Sequence, residues 1–280
     1  MSRLIALTTD FGWNDEYVGV MKGVIIGVTP SARILDLSHD VEPQNIAQAA
    51  YLIHGACRFF PDQTIHVVVV DPGVGTSRRL VLVGARKQLF LAPDNGVLSL
   101  LLNDEDFSFA RVVANEKLFI RPVSRTFHGR DILAPVAAHL AAGLSADAIG
   151  PPLGRTELTI LPLAPSLAAD GKWLEGRIVQ VDRFGNLLTN IDRHTVEKFT
   201  ADNEGNAFSV IVGGRTITRL ADCYAEGQAG GLLALFGSRE YLEIAINQGH
   251  AGKFLGVSTG EVVSLRTNPK VTLYSQPNKY

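Results

Sequence analysis

The segment VVVVDPGVGTSRR, at residues 67–79, constrains the fold of this chain more than any other stretch. Its four consecutive valines leave no polar face, so they predict a strand buried on both sides, as in the middle of a parallel sheet. The strand ends at Asp71, two glycines follow, and Arg78 and Arg79 lie just beyond them. In open α/β sheets, ligands bind beyond the carboxyl ends of the strands. The segment therefore predicts both the centre of a sheet and a ligand site at its edge.

The residues around this strand predict an α/β N-terminal domain with a mainly parallel central sheet. RLIALTT and ARILDLS, at residues 3–9 and 32–38, are typical of strands, and each precedes a segment with the apolar spacing of a helix. Strand, helix, strand, helix, strand in this order indicates a parallel sheet with helices packed on it. After the central strand, LVLVGA and QLFLA are separated by Arg86 and Lys87, which predicts a hairpin.

The C-terminal part of the chain follows a different pattern. Residues 151–172 are rich in proline and in small or polar residues, which is the composition of a linker. Beyond them, short strand-like segments alternate with glycine, asparagine and aspartate, and this predicts a smaller all-β, barrel-like domain. The predicted organisation is an α/β domain over residues 1–160, a linker over 161–172 and the β-barrel-like domain over 173–280.

Composition narrows the classes of function. The chain has 280 residues, a formal net charge of −2 and no basic cluster, so a nucleic-acid partner is not expected. No apolar stretch is long enough to span a bilayer, and the opening residues turn polar too soon for a signal peptide. Cys57 and Cys223 are far apart and have no metal or redox spacing, which predicts reduced thiols and a cytoplasmic protein.

Several polar turns are candidates for a site. Residues 71–76 form either an ordinary turn or a nucleoside pocket, since glycines let a backbone approach a ligand closely. They are not a P-loop, because no Gly-Lys-Ser/Thr follows, and the strand after them disfavours a methyltransferase motif. Asp10 is either a turn residue or a carboxylate for both hydroxyls of a ribose. His128 lies in a polar turn before a predicted helix, whereas the histidines as a group show no metal spacing.

Six motifs in a fixed order carry a resemblance to one family. They are TTDFGxxDxYVGxMKGV, DLSHDVxPQNI, VVVVDPGVGTxRR, APDNGVLS, TFHGRDILAPVAAHLA and DRFGNLLTNI. In these motifs the chain resembles the S-adenosyl-L-methionine (SAM) hydroxide adenosyltransferases, or SAM hydrolases, which are related to the nucleophilic fluorinases and chlorinases. The resemblance implies an α/β and a β-barrel domain. It also implies a homotrimer that binds SAM between the N-terminal domain of one subunit and the C-terminal domain of its neighbour.

The resemblance also implies roles for individual residues. The Asp-Arg-His set of the hydrolases falls on Asp71, Arg78 and His128, which would position and polarise the attacking water. The ribose-binding aspartate falls on Asp10. The other substrate-binding positions, most of them in the β domain, fall on Asn95, Asp182, Phe184, Asn186, Ser238 and Arg239.

The implied reaction is hydrolysis of SAM to adenosine and L-methionine by in-line attack of water at the ribose C5′. Halogenating relatives have a tyrosine–serine pair where this chain has His128 and Gly129, lack the aspartate at position 71, and carry an extra loop where residues 83–90 are short here. These differences favour water over halide. A halide-dependent adenosyltransferase and a non-catalytic SAM or adenosine sensor remain the alternatives. No metal or cofactor is expected, because the cationic substrate already supplies the electrophile.

Overall fold

The computed structural model describes residues 3–102, 105–203 and 207–267. The chain divides after Leu163 into two compact units, Met1–Leu163 and Ala164–Tyr280, which are called the first and the second unit below. Within the described ranges, every helix is too short or too polar to cross a membrane.

The first unit is built on one mixed sheet. Its strands, within the described residues, are β1 (Leu4–Thr9), β2 (Arg33–Ser38), β3 (Ile65–Val69), β4 (Leu80–Ala85), β5 (Gln88–Pro93), β6 (Phe107–Val112) and β7 (Pro152–Leu153). Their order across the sheet is β2-β1-β3-β5-β4-β6-β7. The pairs β1–β2, β1–β3 and β3–β5 are parallel, whereas β5–β4, β4–β6 and β6–β7 are antiparallel.

The prediction of a mainly parallel sheet is therefore wrong, and the reason lies in the hairpin after the central strand. Arg86 and Lys87 adopt the left-handed backbone conformation, with φ of 49° and 58°, and turn β4 tightly into β5. β5 then pairs with β3 in parallel, so β4 can only lie antiparallel beyond it. One tight turn thus converts half of the sheet from parallel to antiparallel pairing.

Helices cover both faces of this sheet. They are α1 (Tyr17–Val28), α2 (Ile46–Cys57), α3 (Ser99–Leu102) and α4 (Ala134–Ala141). Val67 and Val69 pack with α1 and α4, whereas Val68 and Val70 pack with α2 and α3. All four valines are buried, as the sequence predicts for a central strand. The end of β3 is therefore fixed from both sides, and so is the residue that follows it.

The second unit is a nearly closed, barrel-like antiparallel sheet. Its strands in the described residues are β8 (Ser166–Leu167), β9 (Trp173–Val181), β10 (Leu187–Asp192), β11 (Phe208–Val212), β12 (Arg215–Ile217), β13 (Leu232–Phe236), β14 (Tyr241–Ile246) and β15 (Val262–Thr267). They follow the order β12-β11-β15-β9-β10-β14-β13, with β8 paired to β9, and the end strands β12 and β13 contact each other. Two helices, α5 (Arg193–Asp202) and α6 (Ala251–Leu255), accompany the sheet, so the unit is not purely β.

Candidate active site

Asp71 and Arg78 form a bidentate ion pair just beyond the carboxyl end of β3. The guanidinium Nε lies 2.7 and 2.8 Å from the two carboxylate oxygens of Asp71, and an Nη group also donates to that carboxylate. Only 6% of the Asp71 side chain and 10% of the Arg78 side chain are exposed. Two ionised groups removed from water in this way must be paired, and the pairing fixes the orientation of both.

His128 joins this pair from a distant part of the chain. Its Nδ1 lies 3.0 Å from an Nη nitrogen of Arg78. Gly75 makes this approach possible, because a side chain there would collide with the carbonyl oxygen of Arg125, and its φ of +79° also favours glycine. The turn after β3 can therefore pack directly against the segment that carries His128. Asp71, Arg78 and His128 are called the hydrolytic cluster below.

The hydrogen bonds of the cluster define the protonation of His128. An arginine only donates, so Nδ1 must accept, and the neutral imidazole carries its proton on Nε2. Burial and the positive charge of Arg78 lower the pKa of His128 below its usual 6.5, while the charges of Asp71 and Asp131 oppose this only in part. His128 is therefore neutral at pH 7. Asp71 is the one member of the cluster that is both negatively charged and able to accept a proton.

A cavity of about 400 Å³ lies beside this cluster in the first unit. Asp10, Asp71 and His128 all line it, so three of the predicted site residues face one space. One carboxylate oxygen of Asp10 accepts a hydrogen bond of 2.8 Å from the main-chain N–H of Gln44. Aromatic rings of Phe11, Tyr17 and Phe127, which contact one another, form part of the wall. A cavity lined by both carboxylates and aromatic rings suits a nucleoside.

Asn95 has a different environment from the other predicted residues of the first unit. Its amide donates to the carbonyl oxygen of Val70 at 2.9 Å and accepts from the N–H of Val97 at 3.2 Å. It is not among the residues that line the cavity. The side chain instead ties the turn after β5 to the end of the strand that leads into Asp71. Its predicted contact with the substrate stays a prediction.

The second unit contains its own, larger cavity of about 970 Å³. The predicted residues from this unit all line it, namely Asp182, Phe184, Asn186, Ser238 and Arg239. One oxygen of Asp182 accepts the main-chain N–H groups of Phe184 and Asn186, each at 2.9 Å, which shapes the turn between β9 and β10. Phe184 is 77% exposed on this turn, and Arg239 donates to the neutral amide of Gln180 at 3.3 Å.

Sequence reasoning missed two residues of this second cavity, Tyr224 and Glu243. Both line it, and the hydroxyl of Tyr224 donates to the carboxylate of Glu243. Burial raises the pKa of Glu243, the charge of Asp182 adds to this, and Tyr224 and Arg239 oppose it. The signal lay in YLEIAI, where a single carboxylate interrupts an apolar strand. It alternates with Leu242 and Ile244, which point into the core, so its side chain must lie on the opposite face of the strand.

The buried histidines outside the cluster are held by protein groups. Nε2 of His66 donates to the side-chain oxygen of Gln88 at 2.8 Å, and burial lowers the pKa of His66 to about 4. His39 is bonded to Thr9 and Asp36. In the part of the chain that the structure describes, no group of three or more His, Cys, Asp or Glu side chains is arranged to hold a metal ion.

Comparisons with known proteins match each of the two units to a domain of one family. Residues 5–150 match the family model of the SAM hydroxide adenosyltransferase N-terminal domain, and residues 176–264 match that of the C-terminal domain. The chain is 36% identical to a protein of Thermus thermophilus named (R)-S-adenosyl-L-methionine hydrolase, over 94% of this chain and 99% of that protein. It is 29% identical to a fluorinase of an Actinoplanes species, over 87% of this chain and 91% of the fluorinase.

A solved structure is also similar along nearly the whole chain. The crystal structure of an uncharacterized conserved protein from Thermotoga maritima superposes with a TM-score of 0.84 at 37% identity, and the match covers 94% of this chain and 99% of that one. The two matched domains contain all six sequence motifs, and the first contains the whole hydrolytic cluster. The chain therefore belongs to the SAM hydroxide adenosyltransferase family.

Proposed function

We propose that this protein hydrolyses SAM to adenosine and L-methionine by attack of water at the ribose C5′. The observation that carries the proposal is the hydrolytic cluster, in which Asp71, Arg78 and His128 are hydrogen-bonded beside a cavity that also contains Asp10. The (R)-S-adenosyl-L-methionine hydrolase name of a relative at 36% identity supports the same reaction.

The chemistry of SAM explains why such a cluster is useful. The sulfonium is already a good leaving group, so departure of methionine needs no general acid. Water, however, is a weak nucleophile and must approach C5′ on the side opposite to the sulfur. Holding a reactant in line contributes up to ~7–11 kcal/mol in well-oriented systems. The main task of the protein is therefore to position one water molecule and to accept its proton.

In this proposal the three residues of the cluster have different roles. Asp71 accepts a hydrogen bond from the water and takes its proton as the oxygen–C5′ bond forms and the C5′–sulfur electron pair leaves with methionine. Arg78 orients the Asp71 carboxylate and stabilises the developing hydroxide. His128 cannot take the proton at Nδ1, because that nitrogen accepts from Arg78, so it acts as a neutral group that orients the arginine.

The remaining residues recognise the substrate in this proposal. Asp10 accepts the hydroxyl groups of the ribose through the carboxylate oxygen that does not bond Gln44. In the second unit, Arg239 and Ser238 hold the α-carboxylate of the methionine part, and Asp182 holds its ammonium group. Phe184 lies beside the adenine or the sulfonium, while Asn186 lines the same pocket.

The tight space around Gly129 agrees with the preference for water over halide that the family resemblance implies. A Cβ at this position would lie 3.2 Å from Val69 and 3.3 Å from Met21 and Phe127, closer than ordinary packing. The halogenating relatives that the chain resembles have a serine here, and that serine helps to hold halide. The surroundings of Gly129 do not accommodate such a side chain without moving their neighbours.

We also propose that the protein is a cytoplasmic homotrimer that works without a metal or cofactor and binds no nucleic acid. The family resemblance supports the trimer, and a cationic electrophile makes a metal unnecessary. Light scattering of the full chain should give about three chain masses. Turnover should survive dialysis against a chelator. A monomer, or activity restored only by added metal, would contradict these parts of the proposal.

The reaction is tested by identifying the products made from SAM in oxygen-18 water. We expect adenosine with the heavy oxygen at its 5′-hydroxyl and unlabelled L-methionine, because water attacks carbon. The two sulfonium epimers are assayed separately, since the name of the Thermus relative specifies the (R) form. Chloride is added in parallel. Formation of 5′-chloro-5′-deoxyadenosine would indicate the halide-dependent alternative, and bound but intact SAM would indicate a sensor.

A further inference from the structure

His39 is a fully buried histidine that the proposed chemistry does not use. Its Nε2 lies 3.0 Å from a carboxylate oxygen of Asp36, and its Nδ1 lies 2.8 Å from the hydroxyl oxygen of Thr9. Lys22 in turn lies 2.6 Å from the other oxygen of Asp36. These four side chains form a continuous line of hydrogen bonds from the surface to the end of β1. They are called the relay below.

The direction of each hydrogen bond in the relay follows from its ends. Burial raises the pKa of Asp36, but hydrogen bonds from His39 and Lys22 outweigh it, so the pKa lies below 3.8 and Asp36 is an acceptor. His39 must therefore donate through Nε2. In a neutral ring Nδ1 then accepts from the hydroxyl of Thr9.

The far end of the relay holds the turn that contains Asp10. Because the Thr9 hydroxyl donates to His39, its oxygen is free to accept the main-chain N–H of Phe11, at 3.2 Å. The carbonyl oxygen of His39 accepts the N–H of Gly12 at 2.8 Å, and Gly12 has a φ of +69° that favours glycine. Both N–H groups that follow Asp10 are thus bound, one by Thr9 and one by His39.

We propose that His39 is a positioning residue, which acts through Thr9 to hold the turn at residues 10–12 so that Asp10 faces the ribose of the substrate. This inference rests on the proposed function, because it gives Asp10 a ribose to bind. The geometry distinguishes it from simple core packing. A histidine that only fills space needs no acceptor on one side and no donor on the other, whereas His39 has both and its main chain bonds the same turn.

The test compares two substitutions of Thr9 with a control of similar burial. Thr9→Val keeps the shape of the side chain but removes the link between His39 and the N–H of Phe11, while Thr9→Ser keeps the hydroxyl. The control is Thr29→Val, because the Thr29 hydroxyl is also buried in the first unit and donates to the carbonyl oxygen of Ala138 at 2.9 Å. Adenosine affinity is measured by calorimetry, and hydrogen exchange is followed in the peptide that contains residues 10–13.

We expect Thr9→Val to bind adenosine about tenfold more weakly and to exchange faster at residues 10–13, because a lost hydrogen bond contributes on the order of that factor. Thr9→Ser and Thr29→Val should bind adenosine within about threefold of the natural protein, although Thr29→Val unfolds at a lower temperature. A second variant, His39→Asn, keeps an amide oxygen near the place of Nδ1 and should be impaired less than Thr9→Val.

Three results would overturn the inference. They are unchanged adenosine affinity and exchange in Thr9→Val, an equal loss of affinity in Thr29→Val, and a failure of Thr9→Ser to restore binding. Failure of the proposed function looks different, because the natural protein would then release no adenosine from SAM. In that case the exchange of residues 10–13 in Thr9→Val still decides whether the relay holds the turn.

Discussion

The two units differ in how the arginine of each predicted site is paired. In the first unit, the guanidinium of Arg78 is paired within the protein, with a bidentate contact to Asp71 and a hydrogen bond to His128. In the second unit, Arg239 donates only weakly to the neutral amide of Gln180, at 3.3 Å, although the same cavity contains the carboxylates of Asp182 and Glu243. Arg78 is therefore fixed by an ion pair with two close contacts. Arg239 interacts with Glu243 through its charge but forms its hydrogen bond to a neutral amide, so its guanidinium is less firmly paired within the protein.

This contrast predicts that the two arginines affect different kinetic constants, and the largest effect is expected at Arg78. Arg78→Ala leaves the buried carboxylate of Asp71 without its partner and the attacking water without its orientation. We expect kcat to fall by roughly a thousandfold, a loss of the size seen when one positioned catalytic donor is removed. Adenosine affinity, measured by calorimetry, should change by less than about fivefold, since Arg78 is not placed against the nucleoside.

A matched control separates this loss from the general cost of breaking an ion pair. Arg111 in β6 is paired with Asp147 and donates to the carbonyl oxygen of Gly150 at 3.0 Å, away from the cavity. Arg111→Ala should lower the melting temperature and leave kcat unchanged. If Arg78→Ala kept most of its turnover, the hydrolytic cluster would lose its proposed role.

The prediction for Arg239 has the opposite form. Arg239→Ala should raise the KM for SAM by roughly 10- to 100-fold, because a hydrogen bond to a charged group contributes about 1.5–3 kcal/mol. The value of kcat should stay within about threefold, since the α-carboxylate has the same charge in the ground and transition states. Arg177→Ala is the control, because Arg177 donates to the carbonyl oxygen of Gly260 in the same unit. A fall in kcat as large as the rise in KM would break the comparison between the two cavities.

The two cavities also differ in how far the sequence could predict them. The end of the VVVV strand placed Asp71 at the sheet edge, and the family motifs then selected Arg78 and His128. Spacing alone could not bring His128 there, because the contact depends on Gly75 packing against the main chain of Arg125, fifty positions later in the sequence. The same limit explains the mixed sheet. A hairpin can be predicted from its turn, but the strand that it pairs with is decided by tertiary packing.

Residues that act through other residues were the hardest to predict. Glu243 and Tyr224 are nineteen residues apart, and nothing local in either segment indicates their hydrogen bond. His39 is likewise thirty residues from Thr9. A scattered histidine or a carboxylate in a strand has no diagnostic spacing, so its function becomes visible only when the fold shows which group it bonds. Most predicted site residues lie within the six motifs, although Ser238 and Arg239 do not. A motif was also not sufficient, because His39 lies within DLSHDVxPQNI and its hydrogen bonds were not predicted.

The smallest expected effect concerns pH, and it compares His128 with Glu243. In the proposed mechanism His128 acts in its neutral form. Burial together with Arg78 lowers its pKa, so we expect kcat to stay constant down to a pH below the usual 6.5 and to fall as the imidazole protonates. The positive sulfonium of bound SAM also disfavours protonation of His128, so it does not raise the pH at which kcat falls. Burial and Asp182 raise the pKa of Glu243 above its usual 4.5, so we expect its ionisation to affect the acid limb of kcat/KM.

Glu243→Gln separates the two groups, because it removes one titration and keeps a hydrogen-bond acceptor for Tyr224. The acid limb of kcat should be unchanged in this variant, since His128 remains. The acid limb of kcat/KM should lose one ionisation and therefore fall less steeply as the pH decreases. Full pH profiles of both constants for the natural protein and the variant provide the measurement. A shift of the kcat limb in Glu243→Gln would mean that the second cavity takes part in the chemical step. Recognition and hydrolysis would then not be divided between the two units.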